Sequence, residues 1–291
     1  MKNRTRSLIE LHIAVFLFGF TALFGKFLHL PSIIIVFGRT FFATIVLALI
    51  LLFTKQDFKL KSKKDYLFLI SIGILFSIHW FTFFQSVQVS NVAIAVLTFS
   101  TYPVFVTFLE PYFFNEKIKI FDICTAITTL LGVSLVVPKF ELSNNLTQGA
   151  IWGILAGLTG AALAILCKKG IEKFSNTKIP FYQNLTCAIV SLPFVIYLKP
   201  TVQIKDILLL LLLGVVFTAL SGTLYIKSLT SIKVQLASII TCLEPVYAII
   251  FAALLLKEIP TIKTLAGGLI ILGTIFCATL RSKTQEVILK H

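Results

Sequence analysis

AIAVLTFSTYPVFVTFLEPYFFNEKI at residues 93–118 and QLASIITCLEPVYAIIFAALLLKEIP at 235–260 are the stretches on which the fold turns. They align at an offset of 142 residues. Ala95 falls on Ala237, Pro103 on Pro245, Val104 on Val246 and Glu116 on Glu258. Just upstream, Ser86 falls on Ser228 and Val92 on Val234. Six identities over residues 85–116 carry little weight alone. The shared prolines, the glutamates that close each apolar run and the equal number of runs on either side strengthen them. Both segments then continue into a further apolar run containing glycine.

Working outward, apolar runs near 11–28, 32–53, 66–85, 92–114 and 120–137 precede five more near 150–167, 179–198, 207–226, 234–256 and 265–280. A membrane helix needs about 20 mostly apolar residues, and these runs supply them once flanking turns are included. They are too long for barrel strands and show no period-two alternation. Of the 291 residues 57% are hydrophobic and 13% charged, with a mean hydropathy of +0.97. A soluble globule of this length has too little interior to hide so much apolar surface. The expected fold is therefore an all-α membrane protein with ten transmembrane helices. Residues 1–142 and 143–291 form two five-helix repeats. An odd number of spans per repeat inserts the second upside down relative to the first, a plan that recurs in secondary transporters.

Charge orients the chain. Alternating the loops puts 19 Lys and Arg on the side of the N-terminus and 6 on the other, with Arg39 inside the second run. Basic residues concentrate in cytoplasmic loops, so both termini are expected in the cytoplasm of a multi-pass cell-membrane protein, in a bacterium the inner membrane. The same distribution accounts for the net charge of +14 without nucleic acid, since no basic face of a folded domain remains. Met1–Arg6 resembles the start of a signal peptide, but the apolar run continues to residue 28 without a small-residue cleavage site.

FGFTALFGK at 18–26, FGRTFFA at 37–43, HWFTFFQSVQVSNVAIAVLTFSTYPVF at 79–105, NEKI at 115–118 and SLTSIKVQLASIITCLEPVYAIIFAALLLKEIP at 228–260 resemble the ten-helix EamA-type members of the drug/metabolite transporter superfamily. The resemblance implies a five-plus-five inverted repeat, cytoplasmic termini and a central solute cavity. It also implies secondary transport of a small organic solute. Export of an amino acid or related metabolite is the first expectation, and uptake of a nucleoside, cofactor or phosphorylated sugar the alternative. An intramembrane enzyme or a membrane scaffold is the reading of another class. An enzyme would need paired catalytic groups or a metal cluster, and a scaffold has no use for an inverted repeat.

Ionisable groups inside a bilayer cost roughly 2.5–3.5 kcal/mol at its centre, so each is a candidate. Glu244 lies about ten residues into the ninth run and precedes Pro245, which frees a carbonyl near Thr241. It is read either as the group that binds a cation, an amine or a proton, hence the candidate for proton coupling, or as a structural carboxyl. Arg39 suits a substrate carboxylate. It equally suits a pair with Glu244, another interhelical pair, or snorkelling to the outer interface. His79 and Trp80 share a helix face with Phe76 and Phe83, and the offset maps His79, Trp80 and Phe83 onto Ser221, Gly222 and Tyr225. One aromatic and one hydroxylic stripe are thereby placed to line a cavity, with Tyr102 beside Pro103. Aromatic core packing is the competing reading.

Glu116 and Glu258 are expected to cap or bridge loops. Gly149, Gly153 and Gly157, four apart, are expected to let another helix approach closely. The five cysteines lie in apolar runs as small hydrophobes, and no HExxH, CxxC, GxSxG or P-loop occurs. No cofactor and no metal are expected. The expected partners are a small-molecule substrate and the lipid bilayer, with the chain a monomer or a homodimer. Cysteine labelling should place the loops around Lys61, Lys173 and Lys233 on one side, the cytoplasmic one, and those around Asn145 and Lys199 on the other. Finding Lys61 and Lys173 on opposite sides would break the inverted plan.

Overall fold

The computed structural model describes residues 2–114, 120–136 and 141–288. Among them every regular element is helical. In chain order these are α1 (Lys2–Phe27), α2 (Ser32–Phe53), α3 (Lys63–Val89), α4 (Val92–Phe99, resumed as Tyr102–Phe114) and α5 (Ile120–Val136). Then follow α6 (Asn145–Gly170), α7 (Lys178–Leu198), α8 (Ile204–Ser228), α9 (Val234–Leu256) and α10 (Ile262–Ile288). Eight are long and apolar enough to cross a membrane. The apolar parts of the other two, Ile123–Val136 and Ile262–Thr274, are shorter. At 17 residues α5 extends about 25 Å, a little under the hydrocarbon thickness. Glu116 and the rest of NEKI lie outside the described residues.

Side chains of the caps set several starts. Ser62 accepts from the Asp65 N–H, Asn91 from Ile94 and Asn144 from Leu146, satisfying amides that have no partner within their own helix. Along α2, Phe41, Ile45, Leu49 and Leu52 face outward while Val36, Ala43, Leu47 and Leu51 are buried. Both faces are apolar, which is the signature of a helix whose outer solvent is lipid.

The interior is a set of helix pairs. α3 packs on α6 and α8 on α1; α4 packs on α6 and α9 on α1; α2 packs on α8 and α7 on α3. α2 also meets α7, and α5 meets α10. Exchanging α1–α5 for α6–α10 leaves this set of pairs unchanged. Close approach comes from small residues. The expected glycine face of α6 packs within the chain: a Cβ on Gly153 would collide with Thr98, and one on Gly157 would lie 2.8 Å from Thr101 Oγ1. Ser86 Oγ donates to Gly149 O at 2.6 Å. α5 and α10 meet at Gly132 and Gly267, where a Cβ on Gly267 would come within 2.6 Å of the Gly132 carbonyl.

Charges tie the helix ends. Lys26 Nζ donates to Ser90 O at 2.9 Å, and Lys168 Nζ donates to Leu229 O and, at 3.3 Å, to Ile232 O. Lys26 and Lys168 are 142 residues apart, as are Ser90 and Ile232. Glu258 Oε2 accepts from the Val92 N–H at 3.0 Å and so caps α4 from the other half of the chain. Glu10 pairs with Arg6 (3.0 Å) and Lys227 (2.6 Å), and Asp65 with Lys173 (2.5 Å).

Candidate solute cavity

Two helices break in mid-course. α4 turns at Ser100–Thr101 and α9 at Cys242–Leu243, again 142 residues apart. A proline follows each break, Pro103 and Pro245. It lacks the N–H that would bond the carbonyl four residues back, here Phe99 and Thr241, and it is tolerated because the second helical piece starts there. The turns close with three-residue spacing: Thr101 N donates to Thr98 O, Cys242 N to Ile239 O and Leu243 N to Ile240 O. The breaks place Tyr102 and Glu244 at the head of their second pieces.

A cavity of about 100 Å³ lies beside these breaks. Arg39, His79, Trp80, Tyr102, Tyr225 and Glu244 all line it. Ser221 does not line it: its side chain is fully buried beside the cavity, one residue before the lining Gly222. The reason is the helix surface, on which adjacent residues point about 100° apart.

The two halves contribute opposite chemistry at matched positions. Phe76, Trp80, Phe83, Phe99 and Tyr102 line the cavity from the first half. Their counterparts 142 residues on, Thr218, Gly222, Tyr225, Thr241 and Glu244, line it from the second. The first set forms a continuous wall with ring centroids 5.6–6.0 Å apart from Phe76 through Trp80, Phe83 and Phe99 to Tyr102. Gly222 stands where the other half has Trp80, and a Cβ there meets open space. The missing indole is what leaves room for a solute.

Arg39 is 0% exposed. Its Nε donates to Thr218 Oγ1 at 2.9 Å and its Nη2 to Phe217 O at 3.4 Å. The guanidinium carbon lies 3.5 Å from the Trp80 ring centroid, a cation–π contact. Thr218 donates onward to Leu213 O at 2.7 Å, five residues back, within the π-helical turn Val215–Leu220. Of the readings open for Arg39, an ion pair with Glu244 does not form, since no carboxylate lies within 4.0 Å of Arg39 among the described residues. The wide turn of α8 gives the guanidinium a hydroxyl and a carbonyl instead. His79 Nδ1 lies 3.0 Å from Ala156 O. A carbonyl only accepts, so Nδ1 carries the proton and the other ring nitrogen remains for a solute. Tyr102 and Tyr225 meet hydroxyl to hydroxyl at 2.8 Å, bridging α4 and α8.

Phe18 and Gln183 also line the cavity and were not anticipated. Gln183 Nε2 contacts Cys167 Sγ at 3.0 Å. The signal for Gln183 was the one used for Arg39, a polar side chain inside an apolar run. Phe18 carries no such mark among 28 phenylalanines.

A helical bundle with a lipid-type exterior and a cavity that mixes aromatic, cationic and acidic groups at helix breaks describes a multi-pass membrane transporter. The EamA-like transporter family matches residues 6–137 and again 147–280, and the chain belongs to that family. It is 29% identical to the uncharacterized transporter YxxF of Bacillus subtilis over 86% of this chain and 81% of that protein. It is 27% identical to the S-adenosylmethionine uptake transporter of Rickettsia conorii over 84% and 82%. A solved crystal structure superposes with a TM-score of 0.72 at 14% identity, covering 97% of this chain and 99% of that one, a likeness of fold alone.

Two glycines separate packing from cavity. Gly153→Leu should fail to fold, read as lost yield of monodisperse protein in detergent, because α4 backbone lies against it. Gly222→Leu should match or exceed the wild-type unfolding temperature, since leucine favours helix by up to about 1 kcal/mol over glycine, yet should block solute flux by filling the cavity.

Proposed function

We propose that the chain is a secondary transporter that exports a small organic metabolite, an amino acid or a relative of one, by alternating access. The observation that carries this reading is the bipolar cavity at two repeat-related helix breaks. Arg39 offers a cation and Glu244 a carboxyl, with an aromatic wall between α3 and α4. That combination suits a molecule with a carboxylate, an amine and an apolar remainder. The double match of one family, the unchanged set of helix pairs on exchanging halves and the matched Lys26 and Lys168 contacts support ten spans arranged as two inverted repeats, 1–142 and 143–291. The charge bias supports cytoplasmic termini, and the bacterial and archaeal relatives support a prokaryotic cell membrane. In such a plan one half adopts the shape of the other, and the cavity changes sides.

Uptake is the second reading, favoured by the rickettsial relatives named for S-adenosylmethionine uptake. S-adenosylmethionine carries an amino-acid head group, so both readings ask the same of Arg39 and Glu244. They differ in the direction of transport and in the remainder of the solute.

Glu244 is the group we assign to proton coupling. It is 4% exposed, lines the cavity, and has Tyr102 at its repeat-related position. A helix break of this shape therefore forms without a carboxyl. In proteoliposomes, Glu244→Gln should fold normally, the amide being nearly isosteric, but lose flux or its dependence on a pH gradient, while Tyr102→Phe should be milder. Normal flux with normal pH dependence in Glu244→Gln would make Glu244 structural and remove the coupling assignment.

A further inference from the structure

The polar groups that ring Arg39 do not balance. Arg39 Nη1, Trp80 Nε1 and Ser221 Oγ are buried and have no hydrogen-bond partner among the described residues. All three can donate. They lie in one neighbourhood: the guanidinium stacks on the Trp80 ring, and Thr218, the Arg39 Nε partner, precedes Ser221 by three residues on α8. Leaving a buried donor unpaired is costly, and more so when it is charged. A buried cation without a counter-charge is more costly still. The ion pairs of the described residues lie at helix ends, and none involves Arg39. Glu244 lines the same cavity but lies beyond ion-pair distance of Arg39, so an anion that accepts several hydrogen bonds would supply what the described residues do not.

We propose that Arg39, Trp80 and Ser221 form an oxyanion subsite at one end of the cavity, and that it takes the carboxylate of the transported solute. This rests on reading the cavity as the transport site. A carboxylate has about four lone-pair positions on two oxygens, enough to accept from the three unpartnered donors. Ser221 does not line the open space; it enters the subsite as the unpartnered hydroxyl packed directly behind the lining Gly222. The aromatic wall then receives the rest of the molecule, and Glu244 faces its amine. An amine without a carboxylate would meet an unshielded guanidinium and be rejected.

The chain has two tryptophans, Trp80 and Trp152, and Trp152 packs on Phe81 away from the cavity lining. Trp152→Phe therefore leaves one fluorophore, inside the proposed subsite. Purified protein of this background would be titrated with 3-phenylpropionate, with 3-phenylpropylamine, which has the same ring and chain, and with phenyl phosphate. Unfolding temperature would be read in parallel. We expect a saturable Trp80 response and thermal stabilisation with the carboxylate only. Ser221→Ala should raise the apparent Kd about tenfold, the effect of one charge-assisted hydrogen bond, and Arg39→Gln should abolish the response. Ser221→Ala removes one buried oxygen and folds even where Arg39→Gln does not. Equal curves for carboxylate and amine, preference for the phosphate, wild-type affinity in Ser221→Ala, or neither a response nor stabilisation with 3-phenylpropionate would each overturn the subsite. Flux of the amine through proteoliposomes distinguishes the two failures: a carrier that moves it keeps its transport function and loses this assignment.

Discussion

Pro103 and Pro245 each remove a backbone donor in the middle of an apolar helix, where hydrocarbon offers no water in its place. Such a break is tolerable only where the freed groups face protein or a polar cavity. This constraint sends α4 and α9 to the interior and fixes where the cavity lies. The small residues follow from it. Gly19, Gly153 and Gly157 bring α1 and α6 against the broken helices at backbone distance, with a Cβ on Gly19 placed 2.7 Å from Tyr247 Cβ. The same positions then carry the chemistry, because the residue before each proline, Tyr102 or Glu244, heads the new helical piece and looks into the space the break creates.

Function enters through the difference between the halves. A perfectly repeated chain would place five aromatic rings on each wall and close the cavity. The second half has Thr218, Gly222 and Thr241 where the first has Phe76, Trp80 and Phe99, and this exchange of bulk for hydroxyls and open space opens a cavity in what would otherwise be a packing interface. Arg39 is held there by a threonine, a carbonyl and an indole face rather than by an acid. Its charge is therefore not committed to an ion pair among the described residues.

Much of this was legible from one-dimensional pattern, because a bilayer leaves strong marks: apolar runs of fixed length, basic loops and rare interior charges. The 142-residue offset paired the two prolines and flagged the carbonyl freed near Thr241, although both runs read as unbroken helices, and six of the seven residues singled out meet at the cavity. What the sequence concealed was finer geometry. It could not show that α8 opens into a π-helical turn at Val215–Leu220, whose Phe217 and Thr218 take the hydrogen bonds of Arg39. It could not show which face Ser221 presents, since a shift of one residue moves a side chain from the cavity wall to the packed interior. The Lys26 and Lys168 contacts were equally hidden, because both acceptors are backbone carbonyls and carry no mark in residue type.

Those two contacts bear most directly on the central claim, that the halves exchange shapes about the cavity. Each ties the end of one helix to the turn between the two helices that line its half of the cavity, and the proposed inverted plan puts the two on opposite sides of the membrane. A cysteine at Gly222, in a background without the native cysteines, would report access from each side of oriented proteoliposomes through its rate of reaction with a membrane-impermeant maleimide. The account predicts opposite shifts. Lys26→Ala should speed labelling from the side of the Asn145 loop, and Lys168→Ala from the side of the Lys61 loop. Shifts toward the same side, or unchanged rates in both variants, would contradict it.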